Sequence, residues 1–246
     1  MTKAEIQFVR SLADKRTRDE EHLFLAEGDK LIAEIIASGW KIRHLYALEG
    51  HFEGRAEQIS PKEMERLSQL KTASTSLAVV EQPHHKTPAT ASAKKLALAL
   101  DGVQNPGNLG TIIRLADWFG IEDIFCSEDT ADCFNPKVVQ ATMGAILRVK
   151  VHYLPLAEFL RRSAESGVAV YGTMLDGEDI YGAELRQSGL IVMGNEGRGV
   201  SAACAESFTH RLLIPAYPPE RQGSESLNVA MATGIVCAEF RRRARG

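Results

Sequence analysis

The spacing of apolar and polar positions divides the chain into two segments with different predicted organisation. Up to residue 82, the apolar runs "HLFLAEG", "IRHLYAL" and "SLAVVEQ" predict strands, and "AEIQFVRSLADKR", "DKLIAEIIASG" and "SPKEMERLSQL" have helical spacing. Gly39 is expected to end the second of these helices, and Ser60 with Pro61 to begin the third. Residues 1–82 are therefore predicted to form a small α/β domain.

Residues 83–95, "PHHKTPATASAKK", contain two prolines and no hydrophobic periodicity, which predicts a linker. From residue 96, the strand-like runs "LALALDGV", "EDIFCS", "RVKVHYL", "VAVYGTML", "GLIVMGN" and "HRLLIP" alternate with helices such as "LGTIIRLADWF" and "NPKVVQATMGAI". Asn135 and Pro136 are expected to begin the second of these helices. This alternation predicts a mostly parallel sheet with helices on both faces over residues 96–246, with ligands at the carboxyl ends of its strands.

Composition and charge limit the kinds of site and the cellular location to be expected, but they do not decide the function. A net charge of −3 means that any nucleic-acid site has to be a local basic patch. The four cysteines show no metal-ligand spacing and suggest reduced thiols in a cytoplasmic protein. The first residues are too charged for a signal peptide, and no segment has the apolar length of a membrane span. No membrane association is therefore expected. His84 and His85 have no further metal-binding residues near them in the sequence, so no metal site is expected either.

The segment "NPGNLGTIIR" carries the first candidate chemistry. Asn108 is expected to be the N-cap of a helix that stops at Gly120. The wide face of this helix is apolar and consists of Ile112, Ile113, Leu115, Ala116 and Phe119. The narrow polar face consists of Gly110, Arg114 and Asp117. Arg114 is therefore either a solvent-exposed partner of Asp117 or a group that binds a phosphate or another oxygen at the end of a strand.

Two later segments combine glycine with asparagine. "VMGNEGRGVS", residues 192–201, lacks the spacing of a dinucleotide or P-loop motif, but it offers backbone for close ligand approach and Glu196 as a carboxylate. The alternative is a strand-to-helix turn with Glu196 near a helix N-terminus. In "IPAYPPERQGSESLNVAMATG", Ser226 or Asn228 begins a helix; a capping role explains Ser226 and leaves Asn228 unexplained.

Together, "NPGNLGTIIRLADWFG", "VMGNEGRGVS" and "IPA…SESLNVAMATG" resemble the three ordered motifs of the SpoU (TrmH-type) RNA ribose 2′-O-methyltransferases of the SPOUT superfamily. The N-terminal segment is similar to the small RNA-substrate-binding domain of many such enzymes. The resemblance implies a deep trefoil knot in the C-terminal domain, S-adenosylmethionine as cofactor and a homodimer formed through the knotted domain. It implies methyl transfer to a ribose 2′-hydroxyl of structured RNA, with ribosomal RNA favoured over transfer RNA.

The same resemblance implies which residues form the site. The catalytic set comprises Arg114, Asn108, Glu196, Ser226 and Asn228. The cofactor-binding set comprises Thr173, Met174, Leu175, Gly194, Asn195, Glu196, Gly197, Ile214, Pro215, Ser226, Leu227 and Asn228. Because a guanidinium keeps its proton at a pKa above about 12, Arg114 is expected to grip a phosphate and lower the pKa of the hydroxyl, and a role as general base stays open.

Several features compete with this interpretation or extend it. The spacer from Ile214 to Ser226 is longer than the family pattern, so its contacts stay open, including a place at the RNA entrance. The basic end "RRRARG" is either an exposed helix terminus or an RNA contact. Trp118 and Phe119 are expected in the core. The rival functions are a non-catalytic RNA-binding protein of this fold and a nicotinamide-dependent enzyme, which the glycine spacing disfavours.

Overall fold

The computed structural model describes residues 1–218 and 226–243. Part of the long spacer, with Pro219 and Arg221, and the end of the basic C-terminus lie outside the described residues. The chain forms two compact units. The first combines Met1–His84 with Asp132–Leu147, and the second combines His85–Ala131 with Arg148–Gly246.

The described residues form strands and helices that alternate along most of the chain. The strands are β1 (Leu23–Glu27), β2 (Ile42–Ala47), β3 (Glu57–Gln58), β4 (Ser76–Glu81), β5 (Leu96–Leu100), β6 (Asp123–Cys126), β7 (Lys150–Tyr153), β8 (Val170–Asp179), β9 (Gly189–Met193) and β10 (His210–Leu213). The helices are α1 (Lys3–Ser11), α2 (Lys15–Glu21), α3 (Asp29–Ser38), α4 (Pro61–Leu67), α5 (Pro106–Trp118), α6 (Pro136–Thr142), α7 (Leu156–Glu165), α8 (Ala202–Ala205) and α9 (Val229–Arg242). Within the described residues, none of these helices has the length and apolar character needed to cross a membrane.

The first unit is built on a four-stranded sheet in the order β1-β4-β2-β3. The predicted boundaries at Gly39, which ends α3 in the left-handed conformation, and at Ser60, which begins α4, are confirmed. The prediction of one helix over "AEIQFVRSLADKR" is wrong, because Asp14 accepts a hydrogen bond from the Arg16 backbone N–H and begins α2 as a new helix.

The segment Asp132–Leu147 belongs to the first unit although it is far away in sequence. Its Phe134 ring lies 4.9 Å from that of Phe24, measured between centroids. Asp132 accepts hydrogen bonds from the Nε (2.9 Å) and Nη2 (2.5 Å) atoms of Arg18, whose side chain is only 1% exposed. The same guanidinium donates to the Leu12 and Ala13 carbonyls, so this buried charge is paired and each of its three nitrogen atoms makes a hydrogen bond.

The second unit is a six-stranded sheet in the order β10-β8-β9-β5-β6-β7, in which every neighbouring pair is parallel. Successive residues of a strand point to opposite faces. Val170 of β8 packs in one core cluster with Phe159 of α7, whereas the next residue, Tyr171, meets Phe240 of α9 with ring centroids 5.0 Å apart. Helices therefore cover both faces, as the sequence predicts, and the trefoil knot stays a prediction.

Candidate functional site

The first two motif loops leave the sheet side by side. β5 ends at Leu100 and the neighbouring β9 ends at Met193, and these two residues are paired in register. The Asp101 backbone N–H donates to the Met193 carbonyl over 2.9 Å. Since the strands are parallel, the loops after them emerge at the same carboxyl edge, where a ligand site is expected.

Helix α5 begins three residues earlier than its sequence predicts. Asn105, not Asn108, is the N-cap: its Oδ1 accepts hydrogen bonds from the backbone N–H groups of Gly107 (2.8 Å) and Asn108 (3.2 Å). Pro106 then takes the first helical position, which its missing N–H favours. The N-cap prediction for Asn108 is therefore wrong, and its side chain is available for other contacts.

Asn108 joins residues of all three motifs through its side-chain amide. Its Nδ2 donates to Glu196 Oε1 over 2.9 Å, and its Oδ1 accepts from Asn228 Nδ2 over 3.0 Å. Asn228 in turn caps α9, because its Oδ1 accepts from the backbone N–H groups of Ala230 and Met231. Because the Asn228 Oδ1 caps α9, the Asn228 Nδ2 is directed towards the Asn108 Oδ1. The Asn108 Nδ2 then points the other way and donates to Glu196.

Glu196 is held as an ionised acceptor. Its carboxylate also receives the backbone N–H groups of Gln104 (3.3 Å) and Asn105 (3.2 Å). Burial, the largest single effect, acts to raise the pKa of Glu196, but the hydrogen bonds from Asn108 and from these backbone groups together lower it below its usual value. Glu196 therefore connects the loop after β9 to the loop that leads from β5 into α5. It does not interact with the N-terminus of the helix that follows its own loop, as the alternative had it.

Arg114 stands exposed on α5. Of the two alternatives for Arg114, the pair with Asp117 does not form, because Asp117 binds Arg148: Arg148 Nε and Nη2 lie 3.0 and 2.9 Å from Asp117 Oδ2. Arg114 makes no hydrogen bond or ion pair with another residue of the described part of the chain. Gly110, expected on the polar face, is buried. The guanidinium of Arg114 is therefore available to bind a ligand.

The glycine-rich loop after β9 folds back on itself. Gly194 approaches the next turn so closely that an added Cβ would lie 2.3 Å from the Gly199 carbonyl carbon, so a larger residue does not fit. Asn195 Oδ1 accepts from the backbone N–H groups of Gly197 (2.9 Å) and Arg198 (3.0 Å). Asn195 Nδ2 donates to the Gly102 carbonyl over 2.6 Å, which anchors this loop on the first one.

The remaining residues of the predicted cofactor set lie on β8 and after β10. Thr173 Oγ1 donates to the Val192 carbonyl over 2.9 Å, which places Thr173 at the same carboxyl edge. Residues 173–177, including Met174, leave the ladder with β10, because the register passes from Gly172 directly to Glu178. Leu175 is exposed, and Ile214 and Pro215 are half-buried directly after β10.

Ser226 and Leu227 are exposed and lead into α9, whose N-cap is Asn228. A capping role for Ser226 is therefore wrong. Asn228 has two functions, since one side-chain atom caps the helix and the other reaches Asn108. In residues 1–218 and 226–243, no group of three histidine, cysteine, aspartate or glutamate side chains is arranged to hold a metal ion.

Comparison with known proteins identifies the family. Residues 95–238 match the model of the SpoU rRNA methylase family, and residues 3–86 match the MRM3-like substrate binding domain. The chain belongs to the SpoU rRNA methylase family.

Individual relatives match the SpoU chain over nearly its whole length. It is 32% identical over 241 residues to the 23S rRNA (guanosine(2553)-2′-O)-methyltransferase RlmP of Bacillus subtilis, covering 94% of each protein. It is 29% identical to a 23S rRNA (uridine(2479)-2′-O)-methyltransferase of Streptomyces viridochromogenes, covering 95% of this chain and 87% of that protein. The AdoMet-bound rRNA methyltransferase of Sinorhizobium meliloti is similar with a TM-score of 0.86 and 30% identity, covering 99% of this chain and 96% of that one.

Trp118 is a surface residue, so the prediction that it lies in the core is wrong. It is 83% exposed instead of lying in the core, whereas Phe119 is half-buried. Trp118 follows Arg114 by four residues, and this spacing places both on one face of a helix. This spacing can be read from the sequence and indicates an exposed Trp118, whereas the apolar character of its indole ring favours the core.

Proposed function

We propose that this protein transfers a methyl group from S-adenosylmethionine to the 2′-hydroxyl of a ribose in ribosomal RNA. The observation that carries the proposal is the hydrogen-bonded chain Glu196–Asn108–Asn228, which joins the three SpoU motifs. Its central residue, Asn108, lies on the same helix as the exposed Arg114. Relatives that act on 23S rRNA support this substrate class. They modify a guanosine in one case and a uridine in the other, so the proposal does not extend to the base.

The residues around the glycine-rich loop suit S-adenosylmethionine. Gly197 is exposed and leaves backbone accessible, and Gly194 lets the loop fold closely beside it. Thr173 and Met174 lie on β8, and Ile214 and Pro215 directly follow β10. Leu175 and Leu227 expose large apolar side chains, which an adenine ring would cover. The S-adenosylmethionine bound in the Sinorhizobium meliloti relative supports the choice. When bound, this group supplies an electrophilic methyl carbon on a sulfonium sulfur.

The protein side chains orient the ribose and manage charge. The 2′-oxygen forms a bond to the methyl carbon while the carbon–sulfur bond breaks, and the hydroxyl proton has to leave. Arg114 binds the phosphate beside the target ribose, and its positive charge lowers the pKa of the 2′-hydroxyl, so that water can accept the proton. Holding the two reacting groups in line contributes several kcal/mol to the lowering of the barrier, on the order of that found for other positioned reactants.

Glu196, Asn108 and Asn228 hold the site in shape. The Glu196 carboxylate already accepts three N–H groups, and its lowered pKa makes it a poor proton acceptor. These residues therefore act by fixing the positions of the three loops. Ser226, at the entry to α9, is proposed to contact the ribose or the cofactor.

We further propose a cytoplasmic homodimer assembled through the second unit. The resemblance to the SpoU family supports this assembly, and Met231, 63% exposed on α9, is an apolar side chain that such an interface would cover. Sedimentation velocity tests the assembly: a dimer supports the proposal, and a monomer over the whole measured concentration range contradicts it.

The function is tested by mapping ribose methylation across total RNA from cells with and without the protein. We expect one ribosomal RNA position to lose its methyl group when the protein is absent. Loss at a transfer RNA position instead would show the alternative substrate. No change in any RNA, together with no S-adenosylmethionine binding by calorimetry, would support a non-catalytic RNA-binding protein and contradict the proposal.

A further inference from the structure

Asp117 is the carboxylate on α5 that the helix places within reach of Arg114. Residues three or four positions apart are neighbours on a helix surface, and at these distances from Arg114 the sequence has Gly110, Thr111, Asp117 and Trp118. An arginine and an aspartate spaced in this way attract one another. A pair between them would occupy the guanidinium that the proposed reaction needs for a phosphate.

The structure gives Asp117 a different partner. Arg148, two residues before β7, donates from Nε to Asp117 Oδ1 over 3.0 Å and from Nη2 to Asp117 Oδ2 over 2.9 Å. These two parallel N–H groups match the two oxygens of the carboxylate, which makes the contact stronger and more specific than a single hydrogen bond. Arg114, which is exposed, has no hydrogen-bond or ion-pair partner in the described part of the chain.

The contact between Arg148 and Asp117 competes with a pair between Asp117 and Arg114. It engages both carboxylate oxygens, and the charge of Arg148 cancels most of the attraction that Asp117 exerts on a second guanidinium. The same cancellation acts on the substrate, because a carboxylate without a counter-charge one helical turn from Arg114 would repel a bound phosphate. Arg148 therefore removes two effects of Asp117 that oppose phosphate binding at Arg114.

We propose that Arg148 is a positioning residue for the methyl transfer: by binding Asp117, it keeps the Arg114 guanidinium free for the phosphate of the RNA substrate. This rests on the proposed function and adds to it a residue that lies outside the three motifs. Arg148 acts through Asp117 and needs no contact with the RNA or the cofactor for this role.

The alternative role of this ion pair is purely structural, because it also joins α5 to the segment before β7. The helix itself gains little from Asp117, since a carboxylate in the last turn faces the negative end of the helix dipole. The buried apolar side chains of α5 stay in place when Asp117 is substituted. The two roles make opposite predictions for Asp117→Asn, which breaks the pair and also removes the competing carboxylate.

The kinetic test compares Arg148→Ala, Asp117→Asn and the two changes combined in the full chain. In Arg148→Ala the released Asp117 pairs with Arg114, so the RNA phosphate has to displace it. We expect KM for ribosomal RNA to rise about fivefold with little change in kcat, which corresponds to one of the stronger exposed ion pairs. Asp117→Asn and the double variant should both have the KM of the wild-type protein, because neither contains the competing carboxylate.

Two further variants control for charge and geometry. Arg148→Lys keeps the charge but not the two parallel N–H groups, so its KM should lie between those of Arg148→Ala and the wild-type protein. Arg161→Ala removes an arginine that pairs with Glu165 over 2.7 Å on α7, and it changes the net charge as Arg148→Ala does. It should leave KM unchanged.

A crystal structure of Arg148→Ala at about pH 7, where aspartate is ionised, tests the rearrangement without methyl transfer. We expect the Arg114 guanidinium to lie within about 4 Å of an Asp117 carboxylate oxygen. Three results overturn the proposal: an unchanged KM for Arg148→Ala, a double variant as impaired as Arg148→Ala, or an Arg114 that stays apart from Asp117 in the crystal. Absence of methyl transfer by the wild-type protein defeats the proposed function instead, and leaves the crystal structure to decide whether Arg148 controls the pairing of Arg114.

Discussion

At the scale of single residues, Arg114 is the group on which the proposed chemistry depends most. Its guanidinium can bind a phosphate through two parallel N–H groups, whereas a lysine offers one compact charge. We expect Arg114→Ala to lower kcat by about a hundredfold or more and Arg114→Lys to recover only part of it, as for the loss of other charge-stabilising donors. Initial rates at several pH values measure this. A wild-type rate in Arg114→Lys, with a shallow slope of log rate against pH, would contradict both proposed roles of the arginine.

Glu196→Gln tests whether the ionised carboxylate organises the site. The amide replaces one acceptor oxygen with a donor that faces N–H groups from Asn105, Gln104 and Asn108. We expect methyl transfer to fall by about tenfold, because a hydrogen bond to a charged group contributes about 1.5 kcal/mol at the lower end of its range, which suits an exposed carboxylate. Full activity in this variant would show that the charge at Glu196 is unnecessary.

The pH dependence of the wild-type enzyme is a separate prediction. Because folding lowers the pKa of Glu196, its contribution to stability is complete above the ordinary pKa of a glutamate and is lost only as pH falls through the lowered value. We therefore expect no step in kcat/KM from Glu196 between about pH 5 and pH 8. A step in that range in the wild-type profile that disappears in Glu196→Gln would contradict the assignment.

The motifs predicted from the sequence include the residues that meet in the structure, but not their contacts. Asn108, Glu196 and Asn228 lie far apart along the chain, and their meeting depends on β5 and β9 being neighbours, which periodicity does not reveal. Arg148 is another example. It takes Asp117 away from Arg114 through a contact that no local spacing predicts.

At the scale of elements, the two functions of Asn228 can be separated. Asparagine and aspartate cap helices about equally well, but an aspartate has no N–H to donate to Asn108. We expect Asn228→Asp to keep the melting temperature near that of wild type and to lose most of the methyl transfer. Asn228→Ala should lose both activity and about 1 kcal/mol of stability.

Asn135→Asp is the matched control, since Asn135 caps α6 through the Lys137 backbone N–H. It should leave both stability and activity unchanged. Thermal melts and initial rates measure the two effects. Equal activity of Asn228→Asp and the wild-type protein would show that the contact with Asn108 is dispensable.

Helix starts were predictable where a capping residue and proline stand together, as at Ser60 and Asn135, and both are confirmed. At α5 the same rule applies to Asn105 and Pro106, but a second asparagine at position 108 competes in the sequence. Proline at the first helical position favours Asn105, which is the observed N-cap. At α9, Ser226 and Asn228 competed in the same way, and the cap is the residue that also contacts Asn108.

At the scale of the whole molecule, a substitution at Asp132 tests whether the segment Asp132–Leu147 stabilises the first unit. Asp132→Ala leaves the buried Arg18 guanidinium without its carboxylate. Removing one partner of a buried ion pair costs about 3 kcal/mol or more. We expect a lower urea midpoint for this variant, whereas Asp19→Ala, which breaks an exposed pair with Lys15, should change stability by less than about 1 kcal/mol. Equal midpoints for the two variants would contradict the account.

The parallel sheet and the helices on both of its faces followed from the alternation of apolar runs and helical spacing. The membership of Asp132–Leu147 in the first unit did not, because the segment is flanked by β6 and β7 of the other sheet. The local spacing of apolar residues predicts whether an element is a helix or a strand and which of its faces is apolar. It does not state which distant element covers that face, as Phe24 and Phe134 illustrate.

The central claim is that this protein methylates a ribose 2′-hydroxyl of ribosomal RNA with the residues joined by Asn108. The most direct measurement incubates the purified protein with methyl-labelled S-adenosylmethionine and ribosomal RNA from cells that lack the protein, and identifies the labelled nucleoside by mass spectrometry. We predict a single 2′-O-methylated nucleoside with the wild-type protein and a strongly reduced amount with Asn108→Ala. Label on a base, or no label transferred to ribosomal RNA, would contradict the account.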